Sequence, residues 1–231
     1  MKNKEMVLEE FMNNPENTLI MTGQLYSEKY ANIMSEVAFA QIISRLCRCG
    51  EINRVSKGIY CRPKKTRFGM VLPSENEIVD LFTARSSGVL VGYGLYNELG
   101  VTTQISKRQI VYSSIVEEQL KQIGNVTIHK YELKYTTEVK SIIKLMELLH
   151  HYIDIQDINT TAMTHVLRSL SKQYSNTAFD IVQKTIGYPK WTIAFLRDVL
   201  NHYHIQNNID RYLSKLTNYS FPRIEELYEI E

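Results

Sequence analysis

Four side chains in one short stretch have the chemistry to read a nucleic acid. Gln41, Ser44, Arg45 and Arg48 lie within SEVAFAQIISRLCRCG, residues 35–50. In the major groove of a duplex an arginine can pair bidentately with a guanine edge, and a glutamine with an adenine edge. Arg54, Lys57, Lys64 and Lys65 follow at once in EINRVSKGIYCRPKK. Cations of this kind suit phosphate oxygens, which add affinity and salt dependence without reading sequence. The plain alternative is that Arg45 pairs with Glu51 or another carboxylate, Ser44 merely faces solvent, and the later cations are solvated hairpin charge.

Such residues need elements to hold them. Ser35 can accept from the free N–H groups at the start of a helix. Phe39, Ile43 and Leu46 recur at i, i+4 and i+7, one helix face, and Gly50 suits the left-handed residue that ends a helix. Residues 52–55 then alternate as a strand, Ser56-Lys57-Gly58 makes a turn, and residues 59–62 return. Upstream, residues 3–13 form a helix on Met6, Val7, Leu8 and Phe11, and Pro15 sits in a turn. Residues 19–21 suit a very short strand, and Thr22 should cap a helix from Gln24 to Tyr30. Helices closed by a basic β-hairpin predict a winged helix-turn-helix over residues 1–65.

The remainder divides by pattern into α/β material at 66–153 and a helical region at 154–231, so the expected fold class is α+β. Pro73 and Ser74 start a helix, ENEIVDLFTAR, and the apolar run 88–91 is long enough only for a buried strand. A short helix at 92–99 stops at Gly100. Strands at 109–113 and 125–131 are separated by a helical turn at 116–122, and a strong helix covers 140–152. Helices are expected at 160–173, 176–186, 189–202 and 205–216, with a last acidic piece at 223–231. Pro189 fits a first helical turn, where no N–H is needed. No low-complexity linker separates the second and third parts, which leaves them free to pack as one body.

Composition narrows the classes. With 231 residues, 44% hydrophobic and 23% charged, the chain has ordinary globular character. The net charge of +2 is uneven: residues 1–65 hold ten Lys plus Arg against seven Asp plus Glu, the rest seventeen against eighteen. A basic end suits a local anionic partner. The N-terminus is polar without an apolar signal core, and no stretch approaches the ~18 apolar residues of a membrane span. Three cysteines form no even framework, so a reduced, cytoplasmic protein with no membrane partner is expected.

The remaining candidates are weaker. Cys47-x-Cys49 followed by Cys61 is poor zinc spacing, and two residues apart on a helix face away from each other. His150-His151 and His202-Tyr203-His204 lack a spaced third ligand, so neither a metal nor another cofactor is expected. Gly92-Tyr93-Gly94 is no phosphate loop, lacking the third glycine and the lysine; close backbone approach at a strand-to-helix turn explains it. Asn97, Thr102, Thr103 and Gln104 form a polar cluster beside Gly100, either a surface for a partner or small ligand, or loop hydrogen bonding. No Ser-His-Asp, Cys-His or paired-carboxylate pattern supports an enzyme.

Two stretches carry a resemblance. ISRLCRCGEINRVSKGIYCRPK, residues 43–64, and RFGMVLPSENEIVDLF with VGYGLYNELGVTTQISKRQIVYSS, within residues 67–114, resemble the AbiEi-type antitoxin family of type IV toxin–antitoxin and abortive-infection systems. The more specific pattern stands as Gly94, Leu95, Asn97, Leu99, Gly100, Thr102, Thr103 and Gln104, with Val101 where the family has leucine and Ser106 where it has proline. The resemblance covers residues 1–150 and leaves the helical tail unmatched. It implies a DNA-binding N-terminal domain that recognises an operator duplex and represses its own operon. It also implies that the remainder counters a nucleotidyltransferase-type toxin in phage defence, without necessarily gripping it. From other classes, a ligand-sensing winged-helix regulator and an enzyme acting on nucleotides remain alternatives.

Overall fold

Side-chain caps set where the helices begin. The hydroxyls of Ser35, Thr136 and Ser175 and the amide oxygen of Asn159 accept from the backbone N–H of Ala38, Val139, Ala178 and Ala162, at 3.0–3.5 Å. Each removes an orphan donor from a first turn, worth about 1 kcal/mol. Ser74 and Glu77 bond reciprocally, a capping box that fixes another start. The computed structural model describes residues 2–214 and 218–221. The fold is α+β, and the chain divides into two compact units, residues 1–81 and 82–231.

The first unit opens with α1 (Lys2–Met12), β1 (Leu19–Met21) and α2 (Thr22–Leu25), which runs on into a π-helical turn over Tyr26–Tyr30. Then come α3 (Glu36–Arg48), β2 (Asn53–Ser56) and β3 (Ile59–Cys61). The three strands form an antiparallel sheet in the order β1-β3-β2, with Leu19 opposite Cys61. A bulge interrupts β2: Arg54 faces Tyr60 and Ser56 faces Ile59, leaving Val55 as the extra residue. Phe39, Ile43 and Leu46, the expected stripe of α3, are buried with Val7, Phe11, Leu25, Tyr30 and Ile52. Burial of each such side chain stabilises by about 1.5–3 kcal/mol. Tyr26 and Tyr30 flank the Phe39 ring at 5.4 and 5.3 Å between centroids.

Two expectations for this unit change. Thr22 does not cap a helix; Met21 holds that position, and the Thr22 hydroxyl donates to the Gly58 carbonyl at 3.2 Å. The threonine is drawn to the hairpin turn because that carbonyl lies within its reach. Beyond β3 the chain makes a second, unforeseen hairpin, β4 (Lys64–Thr66) and β5 (Gly69–Val71), a separate two-stranded sheet. Next comes α4 (Glu75–Thr83).

In the second unit β6 (Gly88–Val91), α5 (Gly92–Glu98), β7 (Gln109–Ser113), β8 (Leu120–Ile123) and β9 (Val126–Lys130) build a sheet ordered β6-β7-β9-β8. β7 and β9 are parallel and the other pairs antiparallel. The helical turn expected at 116–122 does not form: 116–119 have no regular structure and the stretch from Leu120 is the edge strand β8. The run of Glu, Gln, Leu and Lys favours helix locally, but Gly124, at φ +56°, turns it back onto β9, and cross-strand pairing overrides propensity.

Four α-helices follow among the described residues: α6 (Thr137–His150), α7 (Thr160–Ser171), α8 (Asn176–Thr185) and α9 (Lys190–His202). Pro189 stands at the N-cap of α9, one position before its first turn. The helix expected at 205–216 is reduced, among the described residues, to a 3₁₀ turn at Ile209–Tyr212. The side chain of Asn207 bonds the Ile205 carbonyl and the Ile209 N–H, competing with a helical ladder. The acidic piece at 223–231 lies outside the described residues.

The sheet and these helices share one core, with Val91, Leu95, Ile142, Met146, Leu167, Phe179 and Phe195 among its buried members. One carboxylate sits in it. Glu147 of α6 is 3% exposed, and its Oε1 accepts from the hydroxyls of Tyr112, at 3.0 Å, and Tyr188, at 2.7 Å. Burial first, and the Glu147 charge second, push both tyrosine pKa values far up, so both stay protonated donors. Glu147→Ala should leave two buried hydroxyls without a partner and cost about 2–5 kcal/mol in urea unfolding. Glu147→Gln keeps an acceptor there and should cost clearly less; equal losses would show that side-chain volume, not hydrogen bonding, holds this joint.

Candidate nucleic-acid interface

Helix α3 sorts its side chains by period. The apolar stripe buries Phe39, Ile43 and Leu46, so residues at 41, 44, 45 and 48, spaced i, i+3, i+4 and i+7, share the opposite face. The structure brings Gln41, Ser44, Arg45 and Arg48 together there, all exposed. Among the described residues their side chains make no hydrogen bond or ion pair. The alternative pairing of Arg45 with Glu51 is not made: Glu51 bonds Lys4 at 2.8 Å, which raises the Lys4 pKa. Arg45 and Arg48 also stand in the last turn of α3, where a cation complements the negative end of the helix dipole.

The hairpin positions the second set. Arg54 and Lys57 are exposed on β2 and its turn, and Gly58 takes φ +75° to close it. Arg62 is held, its Nη1 donating to the Met12 carbonyl at 3.3 Å, which ties the end of the hairpin to α1. Lys64 and Lys65, which follow the first hairpin, are exposed on β4. The face can therefore present donors from a helix and, separately, cations from two ribbons, a set suited to base edges and phosphates.

The thiols do something plainer. Cys61 is fully buried, and burial pushes its thiol up to about 11, with Glu77 adding to the rise. Cys47 is half-buried and Cys49 exposed. Among the described residues no cluster of three or more His, Cys, Asp or Glu could hold a metal.

The polar cluster near Gly100 is largely spent on its own loop. The Asn97 amide donates to the Thr102 carbonyl at 3.2 Å, and the buried Thr102 hydroxyl donates to the Gln156 carbonyl at 2.6 Å. Gln104 bonds Asp157, and Thr103 is exposed. Gly94 packs against the Gln109 side chain, where a Cβ would collide, and Gly92 takes φ +65° at the strand-to-helix turn.

Sequence reasoning missed two features. One is the Glu147–tyrosine joint, whose partners lie 35 and 41 residues away and leave no local signal. The other is a cleft of about 380 Å³ between α7 and the end of α9, lined by His165, Arg168, Lys172, His202 and His204 beside Thr164. Here a signal existed: positions 165, 168 and 172 are one helix face. The Tyr203 hydroxyl donates to the Thr164 carbonyl at 3.1 Å and braces the cleft. His204 takes φ +56° as the chain leaves α9.

The model of a family of unknown function, DUF6088, matches residues 17–173. None of the curated proteins compared matches the chain. Among solved structures, the crystal structure of the RV2827C protein from Mycobacterium tuberculosis is 10% identical, covering 89% of this chain and 78% of that one, at a TM-score of 0.42.

Proposed function

The chain belongs to the DUF6088 family of unknown function, and from that starting point we propose that it is a cytoplasmic DNA-binding repressor serving as an AbiEi-like antitoxin. In this reading residues 1–65 are a winged helix-turn-helix, with α3 as the recognition helix and the β2–β3 hairpin as the wing. Gln41, Ser44, Arg45 and Arg48 meet base edges, and Arg54, Lys57, Lys64 and Lys65 meet phosphates. The body, 66–153 with the helices of 154–231, opposes a nucleotidyltransferase-type toxin and catalyses nothing itself. The observation that carries the DNA reading is the exposed Gln41–Ser44–Arg45–Arg48 face, whose side chains have no partner among the described residues. The antitoxin reading rests on the resemblance at residues 43–64 and 94–104.

A second reading has its own observation. The cleft at His165, Arg168, Lys172, His202 and His204 gathers five cationic or protonatable groups, with no carboxylate among the described residues that line it. That chemistry suits a small phosphate-bearing anion and would make the protein a ligand-sensing regulator.

Three measurements separate these readings. In a gel shift on the upstream region of its own gene, Arg45→Ala should cost about 1–3 kcal/mol in specific binding and much less on a scrambled duplex. Equal losses on both would reduce Arg45 to a phosphate contact. Expression of the neighbouring gene alone should arrest growth and co-expression of this chain relieve it; a harmless neighbour removes the antitoxin reading. Calorimetric titration with inorganic pyrophosphate should show binding that Arg168→Ala and Lys172→Ala abolish, and no heat from the unaltered chain would remove the ligand-sensing reading.

A further inference from the structure

The second hairpin is the least explained part of the first unit. An isolated two-stranded ribbon is marginal in water, and natural ribbons avoid long apolar exposure. Yet every residue from 64 to 72 is exposed, with Phe68 at 86%, Met70 at 51% and Leu72 at 65%. The tip is braced all the same. The Thr66 hydroxyl accepts from the Phe68 N–H at 3.2 Å and donates to the Gly69 carbonyl at 3.1 Å, and Gly69 takes φ +118°. The Arg67 guanidinium stands over the Phe68 ring, 4.6 Å from its centroid. The aromatic side chain is thus offered to solvent on a turn closed by the Thr66 hydroxyl.

Its surroundings say what it fits. Between Arg62 and Ser74 there are four cations, Arg62, Lys64, Lys65 and Arg67, and no Asp or Glu. Pairing places Lys64 opposite Val71 and Lys65 opposite Met70, so one strand of the ribbon is cationic and the other apolar. A protein surface that covers Phe68, Met70 and Leu72 would have to neutralise those cations as well. Duplex DNA does both: phosphates line the groove and stacked bases offer an apolar step. Minor-groove proteins use this combination, with Lys or Arg on the backbone and a Phe, Met or Leu wedge between base pairs, and they bend the duplex.

We propose that the ribbon Lys64–Val71 is a minor-groove wedge: Phe68 inserts at a base step while Lys64, Lys65 and Arg67 hold the flanking phosphates. The inference rests on the DNA-binding reading of the first unit and adds to it a second contact, separate from α3 and the first hairpin, together with distortion of the DNA.

The test uses the full chain and a short duplex from its own upstream region, with a fluorophore at each end to report bending by energy transfer and 2-aminopurine within the site to report unstacking. The unaltered chain should raise both signals on binding. Phe68→Ala should abolish both and weaken binding by about tenfold, and Phe68→Trp should restore them. Lys64→Ala with Lys65→Ala should lower affinity and reduce the salt slope by about two. These side chains are exposed, and melting curves of each variant will verify that the fold is kept. Failure to bind any duplex overturns the DNA reading, and the wedge with it. Binding with Arg45-dependent specificity but no bend, or with a bend that Phe68→Ala leaves unchanged, overturns the wedge alone. If Phe68→Ala changes only the sedimentation of the free protein, the ribbon joins two copies of the chain and the wedge is likewise wrong.

Discussion

A carboxylate in an apolar interior must be fully hydrogen-bonded or it unfolds what surrounds it. Glu147 meets that demand through Tyr112 on the sheet and Tyr188 ahead of α9, while the Tyr96 hydroxyl of α5 donates to the Glu147 carbonyl at 3.2 Å. One residue of α6 therefore specifies the positions of a strand, a short helix and the approach to a later helix. Apolar packing alone tolerates small slips among such elements; a directional joint with three tyrosines does not. Helix α6 packs against β6 and α5 as well as against α7, α8 and α9, so this point lies where the sheet and the helices of the second unit share their core.

The first unit is organised without such a joint. Its core is aliphatic and aromatic, and its order comes from local devices: the Ser35 cap, the Phe39–Ile43–Leu46 stripe, Gly50 and the hairpin turn at Gly58. Each is visible within a few residues of sequence, so the boundaries of α3 and the exposure of Gln41, Ser44, Arg45 and Arg48 were legible in advance. Ile59 to Cys61 and the strand β1 were legible for the same reason.

What was not legible depended on distance. β8 reads as helix because nothing in its own residues records β9 beside it. The role of Thr22 is decided by a carbonyl 36 residues away, and the helix expected from 205 fails because Asn207 takes backbone bonds for its side chain. Lys64 and Lys65 were legible as cations that follow the first hairpin, but the second ribbon that carries them was not, since its strands have no alternating pattern to announce them. The polar residues at 97–104 show the same limit from the other side: the cluster is plain in sequence, but its partners Gln156 and Asp157 are not.

The bulge at Val55 has a consequence for how this protein can change over time. Side chains alternate between faces along a strand, and one displaced residue exchanges the two sets. With Val55 as the extra residue, Arg54 stays outside while Ile59 and Cys61 stay inside. Loss of any single residue between Asn53 and Gly58 would cancel the bulge or force a shift that turns a cation toward Leu46 and Ile52. Length in this segment is therefore under tighter constraint than composition: exposed hairpin positions can drift in residue type, whereas insertions and deletions of one residue should be absent from the history of the lineage.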